Sequence, residues 1–165
     1  MARAISASAE PAVSTCLAPL AWGHAGCIMP NGIDLILADH QTVRALFEQF
    51  DASPDPVLMR QVVDVLKTHD DVEQAALYPM MWSILGDGNL NQRCEIAHSR
   101  MRTQIELIST LSGPPQIEAF RALRELATGH MADEERDVLP AISERANGQQ
   151  LEVLGARILR ANSRG

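Results

Sequence analysis

Two stretches of this chain repeat one pattern, and that pattern restricts the backbone. His69-Asp70-Asp71-Val72-Glu73 is followed six residues later by Pro79, and His130-Met131-Ala132-Asp133-Glu134 is followed at the same distance by Pro140. Their tails also correspond: Ala76-Leu77-Tyr78-Pro79 and Asp137-Val138-Leu139-Pro140. Four residues of α-helix turn through about 400°, so each Glu lies about 40° round from its His and roughly 6 Å along the axis. Imidazole and carboxylate therefore leave one face of a helix, one turn apart. That arrangement suits one metal ion or two neighbouring ions. A single His-x-x-x-Glu carries little information; two copies with matching tails require a common cause.

Apolar periodicity places both copies on long helices. The first helix is expected from near Ile33, capped by Asn31, with Leu37, His40, Val43, Phe47 and Phe50 on one face. Asp55 followed by Pro56 reads as the cap and first residue of a second helix running to about Ile84. Its inner face is Val62, Leu66, His69, Glu73, Ala76 and Met80, and Pro79 is expected to kink or end it. A third helix covers about Leu90–Leu111, with Cys94, His98, Met101, Ile105 and Ile108 in its stripe, and Gly113-Pro114-Pro115 follows. The fourth, about Pro115–Ala146, turns Phe120, Leu123, Ala127, His130, Glu134, Val138 and Ala141 inward. Four such helices with short links give an all-α, antiparallel up-down-up-down four-helix bundle over residues 31–147. An extra short C-terminal helix and tail occupy 148–165, with the helix expected to pack outside the bundle.

Residues 1–30 stand apart. They are rich in Ala, Ser and Pro, show no lasting periodicity, and read as a flexible N-terminal tail. Arg3 and Ala7-Ser8-Ala9 echo a signal peptide, but the apolar run between them is too short. A natural start at Met29 is the alternative. Net charge is −7 with pI near 5.1, and no basic block occurs, which speaks against a nucleic-acid partner. Nothing approaches the length of a membrane span. Cys16, Cys27 and Cys94 form no CxxC and make an odd count, the usage of reduced thiols in a cytoplasmic protein.

The two halves of the bundle region also match each other. Asp39-His40 through Val43-Arg44 to Phe47 aligns with Ala97-His98 through Met101-Arg102 to Ile105. Each half supplies one lone His in the first part of one helix and one His-x-x-x-Glu in the second part of its antiparallel partner. Both therefore reach one level of the bundle. His40, His69, Glu73, His98, His130 and Glu134 are the expected metal ligands. A lone His on an apolar face is ordinarily a hydrogen-bonded core residue. Six polar groups converging in one apolar interior are different, because each one left unpaired costs roughly 1–3 kcal/mol. Together they would consume most of a typical stability of about 5–15 kcal/mol. Bound cations compensate such a cluster directly; a metal-free His–Glu hydrogen-bond network is the alternative.

The order His, His-x-x-x-Glu, His, His-x-x-x-Glu, with the Leu-Tyr-Pro and Val-Leu-Pro tails, resembles the hemerythrin-like (HHE cation-binding) domain family over about Ile33–Ala146. The resemblance implies a four-helix bundle holding two non-haem iron ions, oxo- or hydroxo-bridged. Glu73 and Glu134 would bridge them, His40 and His69 would hold one iron, and His98 and His130 the other. Imidazole and carboxylate suit iron, with zinc or manganese less favoured. Oxygen-carrying hemerythrins have a further His one turn from the third-helix ligand. Here those positions hold Cys94 and Arg102. The resulting site, nearly symmetric with two histidines per metal, disfavours reversible oxygen carriage. It favours small ligands that react, namely peroxide, O2 or NO, with a lean to peroxide decomposition. A non-catalytic sensor, carrier or iron store is the other class.

Four neighbours are candidates for supporting roles. Tyr78 lies nine residues after His69, roughly opposite it on an ideal helix, so packing or a polar contact at the bundle end is expected. Cys94 reads as a small buried apolar residue rather than a thiolate ligand. Asp39 and Asp133 adjoin ligands and are candidates for orienting imidazoles, or surface acids. Gly129 is read as permitting close helix approach. Trp82, Met80, Met81, Met101 and Met131 are expected in the core, and His24 is expected to bind no metal.

Overall fold

A computed structural model of the protein describes residues 30–163; the expected tail, the start at Met29, His24, Cys16 and Cys27 lie outside the described residues. Helix α1 spans Gly32–Ala52 and α2 spans Pro56–Val72. A single π-helical turn, Glu73–Leu77, joins α2 to α3, Tyr78–Leu85. Helix α4 covers Gly88–Thr110 and α5 covers Pro114–Asp133. A second π turn, Glu134–Val138, leads into α6, Leu139–Arg145, and α7 follows at Gly148–Asn162. With α2 running through its π turn into α3, and α5 likewise into α6, the chain makes four long rods in an antiparallel bundle, plus α7.

Local chemistry sets the ends. The Asn31 side chain accepts from the Ile33 N–H at 3.0 Å, and Asp55 accepts from the Val57 N–H at 2.9 Å with Pro56 behind it. Asp87 accepts from both Asn89 and Leu90, and Asn147 forms a reciprocal capping box with Gln150. Gly86 ends α3 at φ 60°, the left-handed conformation that glycine adopts without strain.

Pro79 neither ends nor sharply breaks its rod. Proline has no N–H to donate, and its ring crowds the carbonyl four residues back. The helix answers by widening one turn: the Tyr78 N–H bonds the Glu73 carbonyl, five residues back. The Leu139 N–H does the same to Glu134 ahead of Pro140. The shared tails of the two motifs thus encode a shared backbone irregularity.

The apolar interior comes in two parts. Ile36, Val72, Leu77, Met81, Ile142, Leu154 and Ile158 belong to one cluster, while Val43, Phe47, Phe50, Leu66, Phe120 and Leu123 belong to another. The sequence numbers show what separates them: His40, His69, His98 and His130 fall between the members of each rod. Phe120 packs against Phe50 at 4.4 Å and Phe47 at 5.4 Å between ring centres. Met80, Met81, Met101 and Met131 are buried as expected. Trp82 is not; it is 56% exposed, because α3 turns Met80 and Met81 inward and Trp82 outward. Ile36 and Ile142 fill inner positions that the sequence pattern assigned to Leu37 and Ala141, which are only half-buried.

Helix α7 lies against α1, α2 and the first π turn. Leu154 and Ile158 are fully buried there. The crossing is close at Gly155, where an added Cβ would stand 2.0 Å from the Pro30 carbonyl oxygen. Gly129 has no such duty: a Cβ there would meet nothing within 4 Å, so it does not serve a close helix approach. The two glycines therefore predict opposite outcomes in thermal unfolding. Gly155→Ala lowers the midpoint, at a cost of roughly 1–3 kcal/mol from overpacking. Gly129→Ala raises it, by up to about 1 kcal/mol of helix propensity.

Candidate metal centre

Each rod brings its polar residues to the same level. His40 comes from α1, His69 from α2, His98 from α4 and His130 from α5, while Glu73 and Glu134 open the two π turns. His40, Glu73, His98 and Glu134 are fully buried, and His69 and His130 nearly so. Their inward atoms fall into two groups sharing both carboxylates: His40, His69, Glu73 and Glu134 form one; Glu73, His98, His130 and Glu134 form the other, and within each group the atoms lie within 4.8 Å of one another.

The carboxylates divide their oxygens between the groups. Glu73 Oε1 lies 3.2 Å from His69 Nε2 and 3.8 Å from His40 Nε2, while Glu73 Oε2 lies 3.1 Å from His98 Nε2 and 3.5 Å from His130 Nε2. Glu134 Oε2 lies 3.4 Å from His40 Nε2, and Glu134 Oε1 lies 3.5 Å from His130 Nε2. Each carboxylate thus spans both groups, one oxygen to each.

Hydrogen bonding alone does not satisfy this arrangement. His40 Nε2, His69 Nε2, Glu73 Oε1 and Glu134 Oε2, the four atoms of the first group, are all buried without a hydrogen-bond partner among the described residues. In the second group His98 Nε2 lies 2.8 Å from His130 Nε2. One Tyr78 hydroxyl faces three acceptors there, at 2.5 Å from His98 Nε2, 3.0 Å from Glu134 Oε1 and 3.2 Å from Glu73 Oε2, and it has one proton to give. Buried lone pairs pointed at one another are unfavourable unless a cation stands between them. The donor set therefore fits divalent metal, and the metal-free network is the poorer account of it.

The outward nitrogens explain why the inward ones carry lone pairs. His40 Nδ1 lies 2.8 Å from Glu135 Oε1, and His98 Nδ1 lies 2.6 Å from Asp70 Oδ1. Both acids hold their carboxyls below the usual range despite partial burial, Asp70 through His98 and Arg102, Glu135 through Arg44 and His40. An ionised carboxylate only accepts, so each Nδ1 donates; in the neutral imidazole that binds metal, Nε2 is then the bare nitrogen, aimed inward. Arg44 reaches Glu135 at 2.9 Å, and Arg102 Nη1 reaches both oxygens of Asp70 at 2.9 and 2.8 Å.

Electrostatics among the protein groups alone is divided. Burial would lower His40 and His98, yet their carboxylate hydrogen bonds outweigh it and raise them to about 10 and about 9. His69, without such a partner, is pushed down to about 4 by burial. Burial and the charge of Glu73 raise Glu134, while the surrounding imidazoles overcome burial and hold Glu73 well below the usual range. Two neighbouring buried carboxylates shifted in opposite directions show that their mutual repulsion is only partly relieved by the imidazoles. A divalent ion supplies the remaining positive charge and releases the histidines to bind neutral.

The six expected residues are thus brought together; of the four neighbours, Cys94 is the buried residue expected, Asp39 and Asp133 follow the surface-acid reading, and Tyr78 is placed differently. Asp133 is exposed and pairs with Arg136 at 2.7 Å. Asp39 is half-buried beside His69 along a surface groove and makes no hydrogen bond to an imidazole among the described residues. The acids that do orient imidazoles, Asp70 and Glu135, were missed because they sit one residue from ligands on neighbouring rods, a relation invisible without the packing. A signal was present: His40 and His98 each carry an Arg four residues on, a matched cation one turn from each lone histidine that invites an acid from a neighbouring rod. Tyr78 makes polar contacts, but at the centre of the site, not at the bundle end. The π turn brings the residue five after Glu73 to where the fourth would otherwise stand. Leu139 occupies the equivalent place in the other half, so the near-symmetry expected of the site is broken. Cys94 is buried and joins neither group; burial and the two carboxylates push its thiol up to about 12.

Comparison with known proteins agrees with this geometry. A DNA nickase from Nostoc sp. is 27% identical over 137 residues, covering 79% of this chain and 39% of that protein, so the chain spans about two fifths of that relative's length. The crystal structure of a hemerythrin HHE cation binding domain-containing protein from Mycobacterium kansasii superposes with a TM-score of 0.72 at 20% identity, covering 82% of this chain and 87% of that one. That likeness establishes the fold. The model of the hemerythrin HHE cation binding domain matches residues 31–142, which takes in all four rods and every residue of the cluster; the chain belongs to that family.

Proposed function

We propose that this protein holds two non-haem iron ions between His40, His69, Glu73, His98, His130 and Glu134 and uses them to decompose peroxide. One observation carries the metal reading: four buried donor atoms, His40 Nε2, His69 Nε2, Glu73 Oε1 and Glu134 Oε2, face one another without a hydrogen-bond partner. Imidazole with carboxylate is a donor set suited to iron, and the two carboxylates divide their oxygens as bridges between two ions do. When bound, iron would supply the electron exchange by which one peroxide is reduced to water and a second is oxidised to O2.

The chain's own groups supply the rest. The apolar clusters on either side of the polar layer keep water from it. Cys94 and Arg102, one turn to either side of His98, offer no fifth imidazole, and Arg102 turns away to Asp70, which leaves the imidazole count at two per ion. Tyr78 is the one hydroxyl among the contacts at the centre, held protonated by burial and by Glu73 and Glu134, and it is placed to give a proton at its Oη and take one back. Peroxide disproportionation consumes no net proton, so one such shuttling group suffices. A sensor, carrier or iron store would use the same ligands and has no evident need of that hydroxyl. DNA nicking is a property of the Nostoc protein as a whole; here a net charge of −7 works against binding a phosphate backbone, and we place no nucleic acid among the ligands. We also propose a cytoplasmic setting; no described helix is long and apolar enough to cross a membrane.

Three outcomes follow. Protein expressed with ample iron carries about two irons per chain by metal analysis. His69→Ala and His130→Ala lose metal and thermal stability together, since binding free energy contributes to folding; variants as stable as the parent would sink the metal reading. With peroxide, an oxygen electrode records sustained gas evolution, and Tyr78→Phe keeps its iron but slows evolution by roughly 100-fold or more. A single stoichiometric spectral change without turnover would instead identify a sensor or carrier.

A further inference from the structure

The chain folds as two helical hairpins, α1 with α2 and α4 with α5, each closed by a three-residue link. Each hairpin contributes one lone histidine, and each lone histidine gives its outward hydrogen bond to the other hairpin. His40 on α1 meets Glu135 of the second π turn; His98 on α4 meets Asp70 on α2. Both acids are then gripped by an arginine one turn beyond the histidine, Arg44 and Arg102. The two ladders, Arg44–Glu135–His40 and Arg102–Asp70–His98, stitch the hairpins together at the level of the site.

The motif histidines are treated differently. His69 Nδ1 is buried without a partner, and no carboxylate meets His130 Nδ1 among the described residues. Each group of prospective ligands therefore contains one histidine fixed in tautomer and ring orientation and one that is not. We infer that Asp70 and Glu135 are positioning residues, each presetting a single anchored imidazole for one metal ion: Asp70 for the ion at His98 and His130, Glu135 for the ion at His40 and His69. This assignment rests on the two-metal reading above. Its content is site-by-site division of labour. A carboxylate that merely braced the bundle would act on both ions alike.

Metal-free full-length protein titrated with iron(II) under exclusion of oxygen, by calorimetry with metal analysis, separates these cases. The parent binds two ions. Asp70→Ala weakens one binding event by about 10–100-fold and leaves the other at parental affinity. Glu135→Ala gives the same split, and the double variant weakens both events. Asp70→Asn retains an oxygen acceptor for the Nδ1 proton and loses less. Arg102→Ala and Arg44→Ala, at partly exposed positions, give smaller losses at the same single event and guard against misfolding of the acid variants. Parental affinity at both events in Asp70→Ala and Glu135→Ala, or equal weakening of both events in each, would overturn the assignment. A parent protein that binds no iron(II) would overturn the metal reading itself, a result distinct from either.

Discussion

Two carboxylates and four imidazoles lie in one layer of an otherwise apolar bundle, and the rest of the molecule is arranged around that fact. Glu73 and Glu134 are fully buried, and among the described residues no arginine or lysine reaches them; the cationic side chains nearby stop at Glu135 and Asp70. Unlike charges at close range inside a protein attract strongly, but only after the cost of leaving water has been met. Partial protonation of the histidines would ease the repulsion without removing it, since His40 Nε2 and His69 Nε2 still face carboxylate oxygens with no hydrogen bond formed. A cation shared by both carboxylates resolves the layer in one step. The two apolar clusters on either side then serve it twice, as the source of folding energy and as the barrier to solvent.

The π turns connect this chemistry to the backbone. A proline about four-fifths of the way along a rod is costly in a regular helix. Here the cost is confined to one widened turn, and the carboxylate ligand sits at the first residue of that turn in both halves. The widening shifts the register of everything beyond it. In the first half that shift delivers Tyr78 to the centre of the site; in the second it delivers Leu139. A repeat in the sequence thus gives a chemically one-sided centre, with Tyr78 in one half and Leu139 in the other.

Support for the ligands crosses between the halves. The lone histidines are held by acids on the opposite hairpin, so neither hairpin alone has both an oriented His40 or His98 and its restraint. Assembly of the bundle and preparation of the donor atoms are the same event, which is the condition under which a site can be ready before its ion arrives. Helix α7 adds to this from outside the region matched by the family model. Its Leu154 and Ile158 pack in the cluster that holds Leu77 and Tyr78, against the turn that carries Glu73.

Much of this was legible in the one-dimensional pattern. Helical periodicity, the Asn31 and Asp55 caps and the repeated His-x-x-x-Glu suffice for an all-α bundle and for the six converging residues, because i and i+4 on a helix share a face whatever the helix packs against. The supporting residues were not legible in the same way. Asp39 and Asp133 adjoin ligands in sequence and serve none of them, while Asp70 and Glu135 orient histidines 28 and 95 residues away. Those partnerships depend on which rods become neighbours, and no local rule fixes that. Tyr78 stands elsewhere than expected because ideal α-helical angles do not hold through Glu73–Leu77, where the turn is no longer α; Trp82, expected in the core as a large apolar residue, is turned outward by α3. The sequence alone determined which side chains share a helix face, through the fixed geometry of the α-helix. Only the tertiary structure decided what stands opposite them, because that follows from the packing of the hairpins and from one widened turn that a regular period does not contain.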